Sequence, residues 1–260
     1  MISVVTVTKN DEERLLTTIS SLSQYYKLKN FQHIIINGGI ISNSKQKKIR
    51  LNKNIILINE SDSGIYDAMN KGIGICSSSY ILFLNCGDQL IMAPKVLNET
   101  LKHSNKFNII CFPFIHEWFY GSIIKYPLHL KEYCLPTSHQ AILFGKNFIQ
   151  KNMYDTRYKI AADFDLFQKS NFNEIHLEKN CKPFVIVEGN GFASSNGAKS
   201  YFEYFLIINR KYGFFLGAKS LFIISIKAFF SIITKTILPE RWLVRLRLKI
   251  SRLSEFYYGK

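Results

Sequence analysis

Hydrophobic and polar positions in the first hundred residues follow two periods in turn. Residues 2–8 form a continuous β-branched, apolar run, the pattern of a strand buried on both faces. Leu15, Leu16, Ile19 and Leu22 then recur at helical spacing. Asn10 stands where it would cap that helix, and Glu13 three residues on would complete a capping box. The strand pattern returns at residues 31–36, 55–58 and 80–84, and a short helical pattern covers 65–75. Alternation of this kind predicts an α/β fold, a Rossmann-like and mainly parallel sheet with flanking helices. Ligands of such sheets bind beyond the carboxyl ends of the strands, so the segments that follow each strand hold the candidate chemistry.

Beyond residue 105 the pattern is less regular. Strands are expected at 108–114, 118–126 (with a turn at Gly121-Ser122), 141–144 and 184–187. Helices are expected at 162–170, 199–211 and 217–237, the last broken by Pro239. No internal repeat is present.

Composition narrows the class. A chain of 260 residues with 47% hydrophobic content can bury a substantial core and is not a disordered protein. The start of the chain reads directly as a strand, without the basic segment and longer apolar run of a secretory signal. Five cysteines, odd in number and without Cys-x-x-Cys spacing, form neither a disulfide framework nor a zinc site, and a cytosolic setting is expected. The net charge of +15 is uneven: residues 199–260 carry 12 basic and 3 acidic side chains, a net of +9, leaving +6 for the rest. No nucleic-acid-binding motif accompanies that charge, so nucleic acid is not an expected partner.

Three strand ends carry acidic or amide groups: Asn37-Gly38-Gly39, the stretch from Glu60 through Asp62, Tyr66, Asp67, Asn70 and Lys71 to Gly72, and Asn85-Cys86-Gly87-Asp88. Carboxylates in such loops suit a hard divalent cation, which can bridge two phosphates, and adjacent glycines admit a bulky ligand. Equally, Asp62 and Asp67 are placed to cap the helix that begins near Ile65, and Asp88 to sit in a turn. Clustering at neighbouring strand ends favours the functional reading.

Residues 60–88 closely resemble the family-two inverting glycosyltransferases of bacterial polysaccharide synthesis. Their pattern is Glu-x-Asp-x-Gly-Ile-Tyr-Asp-Ala-Met-Asn-Lys-Gly, a strand, then Leu-Asn-x-Gly-Asp. The opening strand, His139-Gln140, the run Ala161-Ala162-Asp163-Phe164-Asp165-Leu166 and Gly191-Phe192-Ala193-Ser194 extend the resemblance over about residues 1–212. It implies a GT-A fold that binds a nucleoside diphosphate sugar, preferably of UDP, with Mn²⁺ or Mg²⁺. It places Asp88 as metal ligand, and Thr8, Asn37, Asp62, Tyr66, Asp67, Asn70, Lys71 and Asn85 around the donor. His139 and Gln140 fall on the acceptor side, and Asp163 on the catalytic base, which takes a proton from the acceptor hydroxyl. The expected donor half is 1–105 and the acceptor half 106–212. Two departures weaken the acidic pattern: Asn37 stands where many relatives have an aspartate, and the Asp-x-Asp metal motif is reduced to Asn85-Cys86-Gly87-Asp88. A non-catalytic sugar-nucleotide-binding partner of another transferase is the alternative.

Residues 213–260 read as a basic amphipathic helical tail. Lys227 and Lys235 interrupt the apolar run 219–238, which disfavours a membrane span. Lys227, Ser231, Thr234 and Lys235 lie opposite Leu221, Ile224, Phe229, Ile232 and Ile233, as in a helix at a membrane interface. Arg241, Trp242, Arg245, Arg247, Lys249 and Arg252 follow as cations for anionic headgroups. A peripheral protein on the inner face of the cell membrane, using a lipid-linked glycan acceptor, is expected.

Overall fold

A computed structural model describes residues 2–222, apart from 105, 119–120, 132–133 and 190–196, together with residues 225–226. The first half alternates as the periodicity predicts: β1 (Ile2–Thr8), α1 (Glu12–Ser21), β2 (Gln32–Asn37), α2 (Asn43–Arg50), β3 (Ile55–Asn59), α3 (Ile65–Ile75) and β4 (Tyr80–Asn85). Next come β5 (Gln89–Leu90), α4 (Pro94–Ser104), β6 (Ile109–Cys111), β7 (Phe114–Trp118), β8 (Gly121–Lys125) and β9 (Ile142–Gly145). The described elements end with α5 (Lys146–Asn152), α6 (Ala162–Gln168), β10 (Ile175–Leu177), β11 (Val185–Glu188) and α7 (Gly197–Tyr212). A further helical stretch covers 214–222.

The main sheet has the order β10-β6-β9-β4-β1-β2-β3. The strands β3, β2, β1 and β4 run parallel, while β9 is antiparallel to both β4 and β6. All seven residues of β1 are buried, which explains its lack of alternation: helices or the second sheet cover both faces. On one face Val5, Ile34, Met69, Phe83 and Leu166 share a core with α3, α5 and α6. On the other, Val4, Leu82, Leu101, Phe112 and Phe184 pack with α4 and the second sheet, ordered β5-β11-β7-β8.

The expected strand at 108–114 divides at Phe112-Pro113 into β6 and β7, which belong to different sheets. Proline cannot donate to a ladder, so a change of sheet there leaves no ladder bond unmade. The expected cap of α1 shifts by one residue. Asp11 accepts from the Arg14 N–H, while Asn10 takes a positive φ of 58° and accepts from the Ile40 N–H at 2.8 Å. The helical expectation for 217–237 is met over the described part, 217–222. Residues 227–260, and with them Lys227, Ser231 and the basic run from Arg241, lie outside the described residues, as does Gly191-Phe192-Ala193-Ser194. Among the described residues no helix is long and apolar enough to cross a membrane.

Candidate active site

The parallel register aligns the strand ends. Thr8 pairs with Asn37, Asn37 with Asn59, and Val7 with Asn85, so the loops after β1, β2, β3 and β4 share one edge of the sheet. Two of these loops interlock. A Cβ on Gly38 would lie 1.8 Å from Asp62 Oδ2, so glycine is what lets the Asp62 carboxylate rest on the loop after β2. Asp62 also accepts from the Gly64 N–H at 3.0 Å.

Asp67 reaches back from the first turn of α3 to accept the Ser63 N–H at 2.9 Å. That bond, with Lys71 nearby, holds its carboxyl below the usual range. Lys71 contacts Glu60 at 2.8 Å and donates to the Ser61 carbonyl at 2.6 Å. Neither carboxylate caps α3, whose N-cap is Gly64 without a side-chain cap hydrogen bond; both instead order the loop between β3 and α3.

Several expected contact groups are turned inward. Asn37 is buried, and its amide is occupied by Gly39 and by Asn59 Oδ1 at 2.9 Å. Asn70 exchanges two 2.9 Å hydrogen bonds with the backbone of Tyr154, joining α3 to the segment before α6. Gln140 donates to Asp88 and accepts from Ser138, so its side chain points away from an acceptor and into the core. Thr8 is buried at the end of β1.

Asp88 differs most from the expectation. It is 3% exposed, and donors take both carboxylate oxygens: Glu188 N–H at 3.1 Å on Oδ1, and Asn85 N–H at 3.0 Å with Gln140 Nε2 at 3.1 Å on Oδ2. Burial lifts its pKa to about 6 against the opposing effect of those donors. Over it lies Gly87, at φ +96°, where a Cβ would meet Glu188 and Arg14. Arg14 itself bridges to Glu188 at 2.5 Å and to Asp11 at 3.2 Å. Two buried acceptors at the neighbouring strand ends, Asn85 Oδ1 and Thr8 Oγ1, have no hydrogen-bond partner among the described residues.

A hard cation wants several oxygens, carboxylates foremost. This donor set does not fit one as arranged: Asp88 is closed in by three donors, and only an amide and a hydroxyl oxygen, those of Asn85 and Thr8, remain unpartnered. Among the described residues no three His, Cys, Asp or Glu side chains converge on a point that an ion could occupy. In this arrangement Asp88 ties its loop to β11 and to Gln140, and the ligand role expected from the motif is not read from this geometry.

Asp163 lies in the first turn of α6. Its Oδ1 accepts the Phe164 N–H at 2.8 Å, and Oδ2 faces His139 Nδ1 at 3.5 Å. The Tyr66 hydroxyl is 3.5 Å from Oδ1, but its proton goes to the Ile160 carbonyl at 2.6 Å. Desolvation raises the Asp163 pKa and His139 opposes it, while burial lowers that of His139. The second acid of the run, Asp165, is fully buried and neutralised by Lys169 at 3.1 Å and by Arg210. Of the two carboxylates, only Asp163 keeps an exposed fraction, 14% of its side chain.

The segment carrying Asp163 is held from outside by α7. Glu203 accepts three successive backbone N–H groups, those of Lys159, Ile160 and Ala161, at 2.8–2.9 Å. Tyr204 stacks on Phe164 at 4.3 Å between centroids. The sequence patterns missed Glu203, Arg210, Arg14 and Glu188. Each acts across 40 residues or more, and none belongs to a local motif.

The site therefore brings together, at the carboxyl edge of a mostly parallel sheet, the block 60–88, His139-Gln140 and Asp163. Residues 3–165 match the family described as glycosyl transferase family 2. The chain belongs to that family, and its fold is the GT-A fold. A glycosyltransferase of PGL/p-HBAD biosynthesis from Mycobacterium tuberculosis is 25% identical over 185 residues, 64% of this chain and 67% of that protein. Among solved structures, Staphylococcus aureus TarS 1-349 in complex with UDP superposes with a TM-score of 0.64 at 14% identity, over 81% of this chain and 64% of that one. The mannosyltransferase PcManGT of Pyrobaculum calidifontis, in complex with GDP-Man and Mn²⁺, gives 0.59 at 10% identity, over 96% of this chain and 79% of that one.

Proposed function

We propose that this protein transfers a sugar from a nucleoside diphosphate sugar to an acceptor hydroxyl with inversion at the anomeric carbon. The observation that carries the reading is the meeting of Asp163 with His139 and Tyr66. A partly exposed carboxylate from the second half of the domain stands beside the loop that would hold the donor. Asp163 takes the proton of the acceptor hydroxyl as that oxygen attacks the anomeric carbon, and the nucleoside diphosphate leaves from the opposite face. Asp62, Asp67, Lys71 and Asn85, at the ends of β3 and β4, are the groups proposed to face the donor. Thr8, Asn37, Tyr66 and Asn70 shape that surface from beneath, and His139 lines the acceptor side.

UDP is the proposed nucleotide, supported by the TarS complexes with UDP and UDP-GlcNAc. GDP, present as GDP-Man in PcManGT, is the competing choice. Mn²⁺ accompanies the donor in that complex. Because the donor set here does not fit such an ion, no step is drawn from it. The proposed acceptor is a lipid-linked glycan of bacterial surface polysaccharide synthesis, which sets the reaction at the inner face of the cell membrane.

The test is transfer from a panel of sugar nucleotides, with the anomeric configuration of the product read by NMR. Asp163→Asn is expected to abolish transfer and leave donor binding intact. Retained transfer, or equal loss of binding, rejects Asp163 as base. Absence of transfer from every donor by the unaltered protein would favour a non-catalytic binding subunit.

A further inference from the structure

The helix α7 has two unlike faces. Glu203, Tyr204, Ile207 and Ile208 face inward onto the segment that carries Asp163. Phe202 and Leu206, one turn apart on the other side, are exposed, Phe202 at 60%. The chain then turns at Gly213, whose φ of +85° ends the helix, and enters the stretch 214–222. A Cβ on Gly217 would lie 3.1–3.3 Å from Asn209 and Phe205, so the two helices pack closely at that glycine.

Along 214–222 the exposed large residues are Phe214, Phe215, Leu221 and Phe222, with Phe215 at 90%. At 100° per residue these four fall within one half of the helix, and the buried Gly217 and Ser220 lie opposite. Soluble surfaces tolerate scattered apolar residues, but six large ones on adjacent helices mark a contact surface.

We infer that this outer face, formed by Phe202, Leu206, Phe214, Phe215, Leu221 and Phe222, docks into the interface of an anionic lipid membrane. Charge selects lipid over a protein partner. Exposed Lys199 and Lys219 flank the apolar residues, and residues 199–260 carry a net +9, twelve basic less three acidic side chains. Aromatic rings set in a field of cations suit a headgroup boundary, where rings enter the acyl region and cations meet phosphates. A second copy of this chain would bring the same positive charge against itself. The surface deepens the lipid-linked-acceptor reading and rests on it for its setting. Vesicle binding and transfer to a soluble acceptor are nonetheless measured separately, so either can fail alone.

The experiment is co-sedimentation of the full chain with phosphatidylcholine vesicles, with and without phosphatidylglycerol. Binding is expected only when phosphatidylglycerol is present, and it should weaken as salt rises. Replacing Phe214, Phe215 and Phe222 together by Ser should weaken binding by about 1,000-fold, since each buried ring is worth roughly tenfold. An unchanged unfolding midpoint serves as the folding control. If that triple variant fails to fold, Lys219→Glu is the second probe and should weaken binding several-fold in low salt. Three outcomes overturn the inference: no vesicle binding by the unaltered chain, full binding by the folded variants, or a dimer in solution that the triple substitution converts to monomer.

Discussion

Replacing Asp88 by Ala separates a keystone from a metal ligand. The substitution strands three buried donors, the N–H groups of Asn85 and Glu188 and the amide of Gln140. At about 2 kcal/mol per stranded donor, the loss is about 6 kcal/mol. Against it stands the relief of an ionised carboxylate that burial opposes. With the pKa raised from 3.8 to about 6, holding that charge at neutral pH costs about 3 kcal/mol. The net expectation is destabilisation by about 3 kcal/mol, or about 6–12 °C in the unfolding midpoint of a domain this size.

The sign with pH follows from the raised value. The carboxyl stabilises the fold most where it is protonated, below its unfolded pKa of 3.8, and loses that contribution as pH rises through about 6. The deficit of Asp88→Ala should therefore widen to about 6 kcal/mol as the pH falls below about 4. The assay is thermal unfolding followed by circular dichroism across that range, with and without Mn²⁺. A midpoint within about 2 °C of the unaltered protein at neutral pH, together with loss of a Mn²⁺ response, would refute the keystone assignment and restore Asp88 as a ligand.

Three other outcomes follow from the same geometry. To act as the proposed base Asp163 must be ionised, and His139 holds its pKa down against burial; His139→Asn should therefore move the acid limb of kcat/KM to higher pH, and an unmoved limb would remove His139 from the site. Glu203→Gln leaves one acceptor oxygen for three N–H groups, at a cost of about 1–2 kcal/mol, and should lower kcat roughly tenfold with the donor KM unchanged. A rise in donor KM with kcat unchanged would contradict a role in placing Asp163. Gly38→Ala sets a methyl group into the Asp62 carboxylate and should weaken donor binding roughly tenfold by titration calorimetry, whereas unchanged affinity would mean the loops after β2 and β3 need not interlock.

The first half of the domain was legible because its signals are local. A strand buried on both faces is a continuous apolar run, so β1, β2 and β4 stood out, and Gly64-Ile65-Tyr66-Asp67 marked the start of α3 within a single turn. The second half was less legible because its order depends on long-range pairing. Nothing in the three residues of β6 or the four of β9 states that β9 enters the sheet antiparallel between β4 and β6. The helix α2 was missed because one buried residue, Ile49, holds it to the core and no apolar stripe remains to be read. Asp88 was found as an important acid, but its structural partners were not legible: a motif records which residue stands at a position, and the partners that close it, Gln140 and Glu188, lie 52 and 100 residues away.

Those distant partners also explain how the two halves of the domain act as one. Asp88 anchors the loop after β4 and grips Gln140; the next residue back, His139, faces Asp163. The loop after β4 is thereby linked to Asp163 through two side chains and one peptide unit. From the other side, Glu203 and Arg210 hold the segment containing Asp163 to α7, whose outer face is the proposed lipid surface. The proposed base, Asp163, thus sits between two clamps, one tied to the loop after β4 and one to the helix that would face the membrane. Loosening either should affect transfer more than donor binding, because the hydrogen bonds that order Asp62, Asp67 and Lys71 among the described residues run within 60–71 and not to either clamp.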